Sequence, residues 1–146
     1  MNWFQIAMKP AKPFAFGTIH TSTRAVPVFG LPGNPVSSLM SFELIARPAL
    51  RSMMGMKHAF RPRVRAIVDE DVKRNHDGKV HFDRVHAIWG TDGRVHVTRT
   101  GAQGSHQLAA TSLANAIMAI PDGTGVHAGD EVVVTFLGPD SGPSRK

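Results

Sequence analysis

Residues 29–38, which read F-G-L-P-G-N-P-V-S-S, constrain the fold more than any other stretch of the chain. The apolar run at residues 26–29 precedes them and predicts a short buried strand. Residues 31–33 then predict a tight turn, because proline fixes one φ angle and glycine permits a positive one. Asn34 is a favourable helix N-cap, and Pro35 suits the first helical position. The stretch therefore predicts a strand, a turn and a capped helix start, in this order.

A helix that starts at this position predicts an anion-binding site. Its first backbone N–H groups would point outward at the positive end of the helix dipole, and two serine hydroxyls would add donors for a phosphate. The candidate ligand residues are Pro32, Gly33, Asn34, Pro35, Ser37 and Ser38. An ordinary strand-to-helix turn that binds nothing explains the same residues equally well, since glycine and proline mark turns in many proteins.

The residues after this turn predict a long helix from Pro35 to about Met54. Apolar residues at intervals of three and four form one broad face, which comprises Val36, Leu39, Met40, Ile45, Ala46, Ala49, Leu50 and Met53. Pro48 lies inside this pattern and should remove one hydrogen bond and kink the helix, at a cost of roughly 3 kcal/mol unless the context compensates. Gly55 is a natural C-terminal stop.

Composition excludes several classes of protein. The 146 residues suffice for one domain, or for one domain and a piece of another, and the hydrophobic fraction of 42% supports a packed core. The chain has no cysteine, which rules out disulfides and thiolate metal sites. No apolar run reaches the roughly 18 residues of a membrane span, and the N-terminus lacks the features of a signal peptide. We therefore expect a cytoplasmic protein that does not enter a membrane.

The net charge of +6 favours an anionic partner. The lysines and arginines are spread along the chain, which favours a small anionic substrate over a nucleic acid. The eight histidines show no compact spacing typical of metal ligands, so we expect no metal site on this chain.

The spacing of apolar residues changes from helical to strand period at residues 56–61, where we expect a hinge. Before it, residues 1–55 combine strands with the helix. Their proline-rich segment at residues 9–13 should be an extended loop that projects Lys9 and Lys12. After it, residues 62–138 predict five or six strands in a small β-barrel or sandwich, and residues 139–146 a flexible tail. The predicted fold class is α/β followed by all-β.

Two Asp-Gly pairs, at residues 77–78 and 92–93, predict two successive hairpins and thus a meander. On the strand between them, period-two alternation places Arg84 on one face with Val80 and Phe82, pointing inward. An inward arginine needs an anionic partner, and the residues leave open whether this is a ligand or a carboxylate near Asp83 or Glu131.

Several motifs resemble the C-terminal half of molybdopterin molybdenumtransferase, the MoeA family, to which the E-domain of gephyrin belongs. They are K-P-A-K-P-F-A-F-G at 9–17, G-L-P-G-N-P-V-S-S at 30–38, Phe42 with P-A-L at 48–50, T-G-A-Q-G-S-H at 100–106, S-L-A-N-A at 112–116 and I-P at 120–121. The resemblance covers nearly all of this chain but only the later part of the family's full chain. It implies that residues 1–55 are the C-terminal end of a three-layer α/β molybdopterin-binding domain and that residues 62–138 form the family's β-barrel.

The family inserts molybdenum into molybdopterin, using molybdate, adenylylated molybdopterin and magnesium, and AMP is released. Carried over residue by residue, the resemblance implies catalytic roles for Lys9, Arg84 and Ser105, and cofactor binding by Lys12 together with the turn residues already named. Ala11 stands where glycine is usual, and Gln5 stands where some members have lysine. The acidic ligands of magnesium and molybdate lie upstream in the family, outside this chain.

In the family a dimer builds the active cleft, so the resemblance implies a homodimer whose cleft is shared between subunits, with the missing upstream domains as further partners. The alternative is a truncated, non-catalytic module for molybdopterin binding or protein scaffolding, and the residues leave enzymatic activity open. A nucleic-acid-binding domain would need clustered bases and exposed aromatic residues, whereas Trp3 and Trp89 are isolated.

Overall fold

The structure is a computed structural model that describes residues 1–101 and 111–138. The chain folds into two compact units, Met1–Phe60 (unit 1) and Arg61–Lys146 (unit 2). None of the helices in the described ranges has the length and hydropathy needed to cross a lipid bilayer.

Unit 1 consists of four strands followed by a helical segment. The strands are β1 (Asn2–Gln5), β2 (Met8–Lys9), β3 (Pro13–His20) and β4 (Ala25–Gly30), and the helices are α1 (Pro35–Ser41), a π-helical turn (Phe42–Ala46) and α2 (Arg47–Met53). Three of the strands form an antiparallel sheet in the order β1-β3-β4. The prediction that residues 26–29 form a strand is confirmed, but the prediction that this strand is buried is wrong. Within the described residues β4 pairs with β3 alone, and every one of its side chains is exposed or half-buried.

The predicted interruption of the helix at Pro48 takes the form of a π-helical turn. In that turn the Arg47 N–H donates to the Phe42 carbonyl, five residues back. Pro48 then falls in the first turn of α2, where a missing N–H needs no partner. The helical segment as a whole therefore runs from Pro35 to Met53, close to the predicted range.

The predicted apolar face of this helix is only partly buried. Val36, Met40 and Ala46 are buried as predicted, whereas Leu50 and Met53, which follow the π-helical turn, are exposed. The expectation that all these residues share one buried face is therefore wrong.

The helix ends at a Schellman motif, as the glycine predicted. Gly55 has a φ angle of 72°, its N–H donates to the Ser52 carbonyl, and the Met56 N–H donates to the Arg51 carbonyl, both over 3.0 Å. Arg51 Nε also donates to the His58 carbonyl over 3.1 Å. These bonds fix the chain that follows α2 against the helix end.

Five strands in the described part of unit 2 close into a barrel. They are β5 (Arg63–Val68), β7 (Val80–Trp89), β8 (Val95–Arg99), β9 (Ala116–Ile120) and β11 (Glu131–Phe136). The order is β7-β8-β5-β11-β9, and a further pairing of β9 with β7 closes the ring. The pairing of β5 with β8 is parallel and the other four are antiparallel. Two short strands, β6 (Val72–Lys73) and β10 (Gly125–Val126), form a separate antiparallel ribbon.

Alternating residues of the barrel strands, together with Val72 of β6, make up the core of unit 2. It contains Ala66, Val68, Val72, Val85, Ala87, Val95, Val97, Ala116, Met118, Ile120, Val132, Val134 and Phe136. A five-stranded barrel of this kind agrees with the β-barrel prediction for residues 62–138.

The predicted meander is wrong, because only the second Asp-Gly turn joins a hairpin. Asp92 and Gly93 connect β7 to β8, which are paired, but β5 lies between β8 and β11, and β6 pairs with β10. Side chains hold the first Asp-Gly turn instead. The Asp77 carboxylate accepts bonds from Arg74 (2.6 Å) and Lys79 (3.0 Å).

The closure between β7 and β9 depends on the side chain of Asn115, directly before β9. The Ala87 N–H donates to Asn115 Oδ1 over 2.7 Å, and Asn115 Nδ2 donates to the Ala87 carbonyl over 2.9 Å. The Asn115 backbone N–H donates to the Val85 carbonyl over 3.2 Å. The Asn115 carboxamide thus takes the place of a strand residue opposite Ala87. It provides hydrogen-bond partners for the backbone N–H and carbonyl of Ala87, which is fully buried.

A histidine links β5 to the hairpin of β7 and β8. His96 Nδ1 lies 2.6 Å from an oxygen of Asp69, which follows β5, and His96 Nε2 lies 3.2 Å from both oxygens of Asp92. These two carboxylates raise the pKa of His96, with Asp69 contributing most.

Replacing Asn115 by alanine should lower the free energy of unfolding of unit 2 by about 2–4 kcal/mol, because two buried backbone groups of Ala87 lose their partners. The measurement is urea unfolding followed by tryptophan fluorescence in a Trp3→Phe background, where Trp89 in unit 2 is the remaining tryptophan. The matched control is Asn75→Ala, at an exposed position, with an expected change within about 0.5 kcal/mol. Equal stability of the two variants would contradict the ladder role.

The stability of unit 2 should also depend on pH through His96. A folded-state pKa above the ordinary value of about 6.5 means that the stabilisation is complete below pH 6.5. It is then lost as the pH rises through the higher folded-state value. Unfolding of the wild type measured from pH 6 to pH 9 should show this fall, and His96→Gln should flatten it. His86→Gln, at an exposed position of β7, is the control and should keep the wild-type slope.

Candidate functional site

The two lysines carried over from the family resemblance flank a loop that folds back on itself, with Lys9 at the end of β2 and Lys12 directly before β3. The Ile6 N–H donates to the Lys12 carbonyl over 2.8 Å, which folds the loop back on itself. The Lys9–Pro10 peptide bond is cis, and Ala11 has a φ angle of 82°. The prediction of an extended loop is wrong, because the hydrogen bond between Ile6 and Lys12 turns the chain back. Both lysine side chains are exposed, as expected.

The conformation of Ala11 accounts for the glycine that is usual at this position in the family. The left-handed region costs an L-residue roughly 1–2 kcal/mol, whereas glycine enters it freely. The loop therefore keeps the backbone path that suits glycine while carrying an alanine.

The antiparallel register of β3 and β4 brings the lysine loop and the predicted anion turn to one end of the sheet. Ala15 is paired with Gly30, the last residue of β4. Lys12 directly precedes β3 and residues 31–34 directly follow β4, so both segments leave the sheet at the same end. The fold thus groups the residues that the sequence selected separately.

The N-cap prediction for Asn34 is confirmed, but the predicted outward-pointing N–H groups are not present. Asn34 Oδ1 accepts the N–H groups of Val36 (3.1 Å) and Ser37 (3.3 Å). The Ser38 N–H donates to the Asn34 carbonyl over 2.8 Å. Since Pro35 has no N–H, the donors of the first helical turn are all used within the protein, and an anion site made from these backbone groups alone is excluded.

The remaining candidates differ in how accessible they are. Gly33 and Pro35 are exposed, Pro32, Asn34 and Ser38 are half-buried, and Ser37 is buried. The surface of the turn that a ligand can reach is therefore formed by its proline and glycine backbone, with Ser38 as a nearby hydroxyl.

Unit 1 carries nearly all of the net positive charge of the chain. Residues 1–60 contain six lysines and arginines and a single acidic residue, Glu43. The Glu43 carboxylate lies 3.8 Å from the Arg47 guanidinium, its neighbour one helical turn later. Lys9 and Lys12 have no acidic residue near them in sequence, which suits an anionic ligand.

Arg84 lies on β7 in unit 2 and is buried, with 1% of its surface exposed. By strand alternation Arg84 shares one face of β7 with Val80 and Phe82. The prediction that this face points into the barrel core is wrong, because the core takes Val85 and Ala87 from the alternate positions. Arg84 Nη1 donates to Thr111 Oγ1 over 2.7 Å. Burial lowers the pKa of Arg84, and the neighbouring Asp83 carboxylate opposes this effect.

The two carboxylates considered as partners of Arg84 are paired with other arginines. Asp83, on the core-facing side of β7, lies 3.0 Å from Arg99 Nε on β8. Burial raises the pKa of Asp83, and Arg99 is the strongest opposing charge. Glu131 lies 2.9 Å from Arg65 and 3.2 Å from Arg94, at the barrel surface.

Ser105, the third residue carried over as catalytic, lies outside the described residues, as does His106. Within the part of the chain that the structure describes, no group of three or more histidine or acidic side chains is arranged to hold a metal ion.

Sequence reasoning missed Thr111 and Asn115, which contact β7 through Arg84 and Ala87 respectively. Both contacts join residues almost 30 positions apart, and neither residue belongs to a spaced motif of its own. A signal for Asn115 existed, because it lies in the S-L-A-N-A stretch of the family resemblance.

Two family models match the two units separately. Residues 65–137, half of the chain, match the model described as "MoeA C-terminal region (domain IV)". Residues 2–52 match the model described as "Probable molybdopterin binding domain".

Curated relatives match along almost the whole chain. It is 33% identical over 136 residues to a protein of Haemophilus influenzae named molybdopterin molybdenumtransferase, a match that covers 92% of this chain and 32% of the relative. It is 34% identical over 138 residues to molybdopterin molybdenumtransferase 2 of Mycobacterium tuberculosis, covering 94% and 32%. It is also 30% identical over 159 residues to gephyrin of Dictyostelium discoideum, covering 95% and 22%.

A solved structure gives the same result. The crystal structure of the molybdopterin biosynthesis moeA protein from Pyrococcus horikoshii superposes with a TM-score of 0.68 at 27% sequence identity, over 93% of this chain and 33% of that one. This chain spans about a third of the length of the two molybdopterin molybdenumtransferases named above. The two family models and these relatives agree with the observed order of a barrel after an α/β unit. The chain therefore belongs to the MoeA family and corresponds to its C-terminal part.

Proposed function

We propose that this chain acts in molybdenum cofactor biosynthesis, as the C-terminal part of an enzyme that inserts molybdate into adenylylated molybdopterin with release of AMP. The observation that carries the proposal is a coincidence of two properties in unit 1. Its residues 2–52 match a molybdopterin-binding family model, and the same unit has six basic residues with one acidic residue. Relatives named molybdopterin molybdenumtransferase support the reaction.

In this proposal Lys9 and Lys12 bind the phosphate of the substrate. Their ammonium groups are exposed point charges on a loop whose backbone is closed by a hydrogen bond. The turn at residues 32–35, at the same end of the sheet, forms one wall of the site. Ser38 adds a hydroxyl donor, and the positive end of the helix dipole acts on the anion although the first N–H groups are used by Asn34.

Arg84 and Ser105 complete the proposed set by resemblance to the family. The resemblance assigns Arg84 the neutralisation of charge on the reacting phosphate or molybdate, which lowers the barrier for anhydride cleavage. Because Arg84 is buried and bonded to Thr111, this role requires the side chain to be uncovered when the substrate binds. We further propose a homodimer with a shared cleft in the cytoplasm, and upstream domains of the kind that the longer relatives contain.

The residues that the structure describes do not fit a magnesium site. The single carboxylate of residues 1–60 is next to an arginine, and the described residues hold no group of three metal-binding side chains. Oxygen ligands from carboxylates are what this ion needs. We therefore place the magnesium and molybdate ligands outside this chain and derive no step through the metal.

This division of the site favours binding without turnover when the chain is tested by itself. The 146-residue chain should bind adenylylated molybdopterin but show no molybdate-dependent release of AMP. Turnover by this chain would contradict the placement of the acidic ligands, and absence of binding would contradict the proposed function. Affinity for DNA or RNA that falls steeply with salt would favour a nucleic-acid-binding role instead.

Replacing Lys9 or Lys12 by alanine should weaken binding of adenylylated molybdopterin about tenfold each, equivalent to about 1.4 kcal/mol, because each removes one charge-assisted contact to phosphate. Isothermal titration with the full chain measures this loss. Lys73→Ala, at an exposed lysine of unit 2, is the control and should bind as the wild type does. If the control loses as much affinity as the two loop variants, the attraction comes from net charge and the loop is not the site.

A further inference from the structure

Arg84 is held on the outer side of the barrel by the two ends of the connection between β8 and β9. Directly after β8, the Thr100 N–H and Oγ1 donate to the Arg84 carbonyl, both over 3.2 Å. Shortly before β9, Thr111 Oγ1 accepts a bond of 2.7 Å from Arg84 Nη1. All three contacts are made within unit 2, whose ring of strands is closed.

The surroundings of the Arg84 guanidinium make its hydrogen-bond partners important. Arg84 pairs across the ladder with Ile117 of β9, and both residues are 1% exposed. Residues paired in this way share one face of a sheet, so the arginine side chain leaves its strand beside an isoleucine. A charge that has lost its water in such a place depends on hydrogen bonds for its stability.

The carboxylate next to Arg84 in sequence has another partner. Asp83 lies on the core-facing side of β7, with its carboxylate 3.0 Å from Arg99 Nε. Its charge nevertheless opposes the lowering of the Arg84 pKa by burial. Arg84 therefore remains positively charged at neutral pH, as an anion site requires.

The Thr111 hydroxyl is a weaker partner for this charge than an anion. A hydroxyl oxygen is neutral, whereas an oxygen of phosphate or molybdate adds the attraction between opposite charges to the same hydrogen bond. The planar guanidinium also has donors that match two oxygens of one anion. An anionic ligand can therefore replace the hydroxyl with a gain in free energy.

We propose that Thr111 is a positioning residue whose hydroxyl competes with a tetrahedral oxyanion for the Arg84 guanidinium. In the free chain the hydroxyl holds Arg84 Nη1, and in the occupied site an oxygen of the anion takes its place. The competition lowers the apparent affinity for the anion, because the ligand has to displace an internal partner. The proposal rests on the proposed function in one respect, namely that this anion belongs to the substrate of the molybdate-insertion reaction.

Two variants separate the hydroxyl of Thr111 from its shape. Thr111→Val keeps the branched side chain and removes the acceptor, whereas Thr111→Ser keeps the acceptor and removes a methyl group. Thr98→Val, at an exposed position of β8, is the matched control. Circular dichroism and urea unfolding verify that each variant is folded.

The first measurement is the reaction of the full 146-residue chain with phenylglyoxal, which modifies accessible guanidinium groups. Mass spectrometry of the peptides gives a separate rate for each arginine. Wild-type Arg84 should react far more slowly than the exposed Arg63. Thr111→Val should raise the Arg84 rate about tenfold or more, the factor that corresponds to one lost hydrogen bond to a charged group. Thr111→Ser and Thr98→Val should keep the wild-type rate, and the Arg63 rate should be the same in all four proteins.

The second measurement adds inorganic phosphate, and in a parallel series molybdate, to the same reaction. Either oxyanion should protect Arg84 from phenylglyoxal, at a concentration about tenfold lower in Thr111→Val than in the wild type, because the competing hydroxyl is gone. Protection by either anion supports the proposal, and the one that protects at the lower concentration identifies the group that Arg84 contacts. A merely structural role of Thr111 would raise the reactivity of Arg84 without any protection by anions.

Four outcomes would overturn the proposal. They are an Arg84 that reacts as fast as Arg63 in the wild type, a wild-type rate in Thr111→Val, an equal rise of the rate in Thr111→Ser, and the absence of stronger protection in Thr111→Val. None of these measurements involves molybdopterin. A chain that shows the exchange at Arg84 but does not bind adenylylated molybdopterin would contradict the proposed function and retain the competition by Thr111.

Discussion

The barrel of unit 2 depends on one requirement, that no backbone polar group along the closed ring of strands is buried without a partner. At Ala87 the ladder between β7 and β9 has no strand residue to pair with, and the carboxamide of Asn115 takes that place with two short bonds. Closure here keeps β7 in a fixed register with both of its neighbours. That register separates the two sides of the strand, with Asp83 and Val85 toward the core and Arg84 on the other side.

The strands and helix of this chain were predictable from the sequence because their signals are local. Alternation located β5, β7 and β8, apolar runs located β9 and β11, and the proline and glycine around residues 31–35 located the start of the helix. Strand pairing was not predictable from such signals. The first Asp-Gly pair is a favourable hairpin turn, but its aspartate is engaged by Arg74 and Lys79, and the strands on either side pair with distant segments. Pairing is decided by which apolar faces can share one core, and this is a property of the whole unit.

The candidate site was likewise predictable only in part: its residues could be selected from local motifs, whereas their hydrogen-bond partners depend on the folded chain. The lysines and the glycine turn were selected by motif, and the register of β3 with β4 places them at one end of a sheet. What the sequence could not reveal is how the polar groups there are already used. An asparagine that caps a helix with its own oxygen leaves fewer donors for a ligand, so binding has to rely on lysine charge more than on backbone geometry. Arg84 is similar, because only the folded chain brings Thr111 to its guanidinium.

The π-helical turn at Phe42–Ala46 has a consequence for everything that follows it on the helix. One additional residue in the helical path rotates the later side chains by roughly 100° about the axis, compared with an uninterrupted α-helix. Counting from Pro35 with a constant period therefore assigns Leu50 and Met53 to the buried side, whereas the shifted phase turns them to the solvent. The buried position of Pro48 and the outward direction of Leu50 and Met53 both accord with this one phase shift. A helix whose hydrophobic pattern looks continuous in sequence can, through a single wide turn, present apolar residues in two different directions.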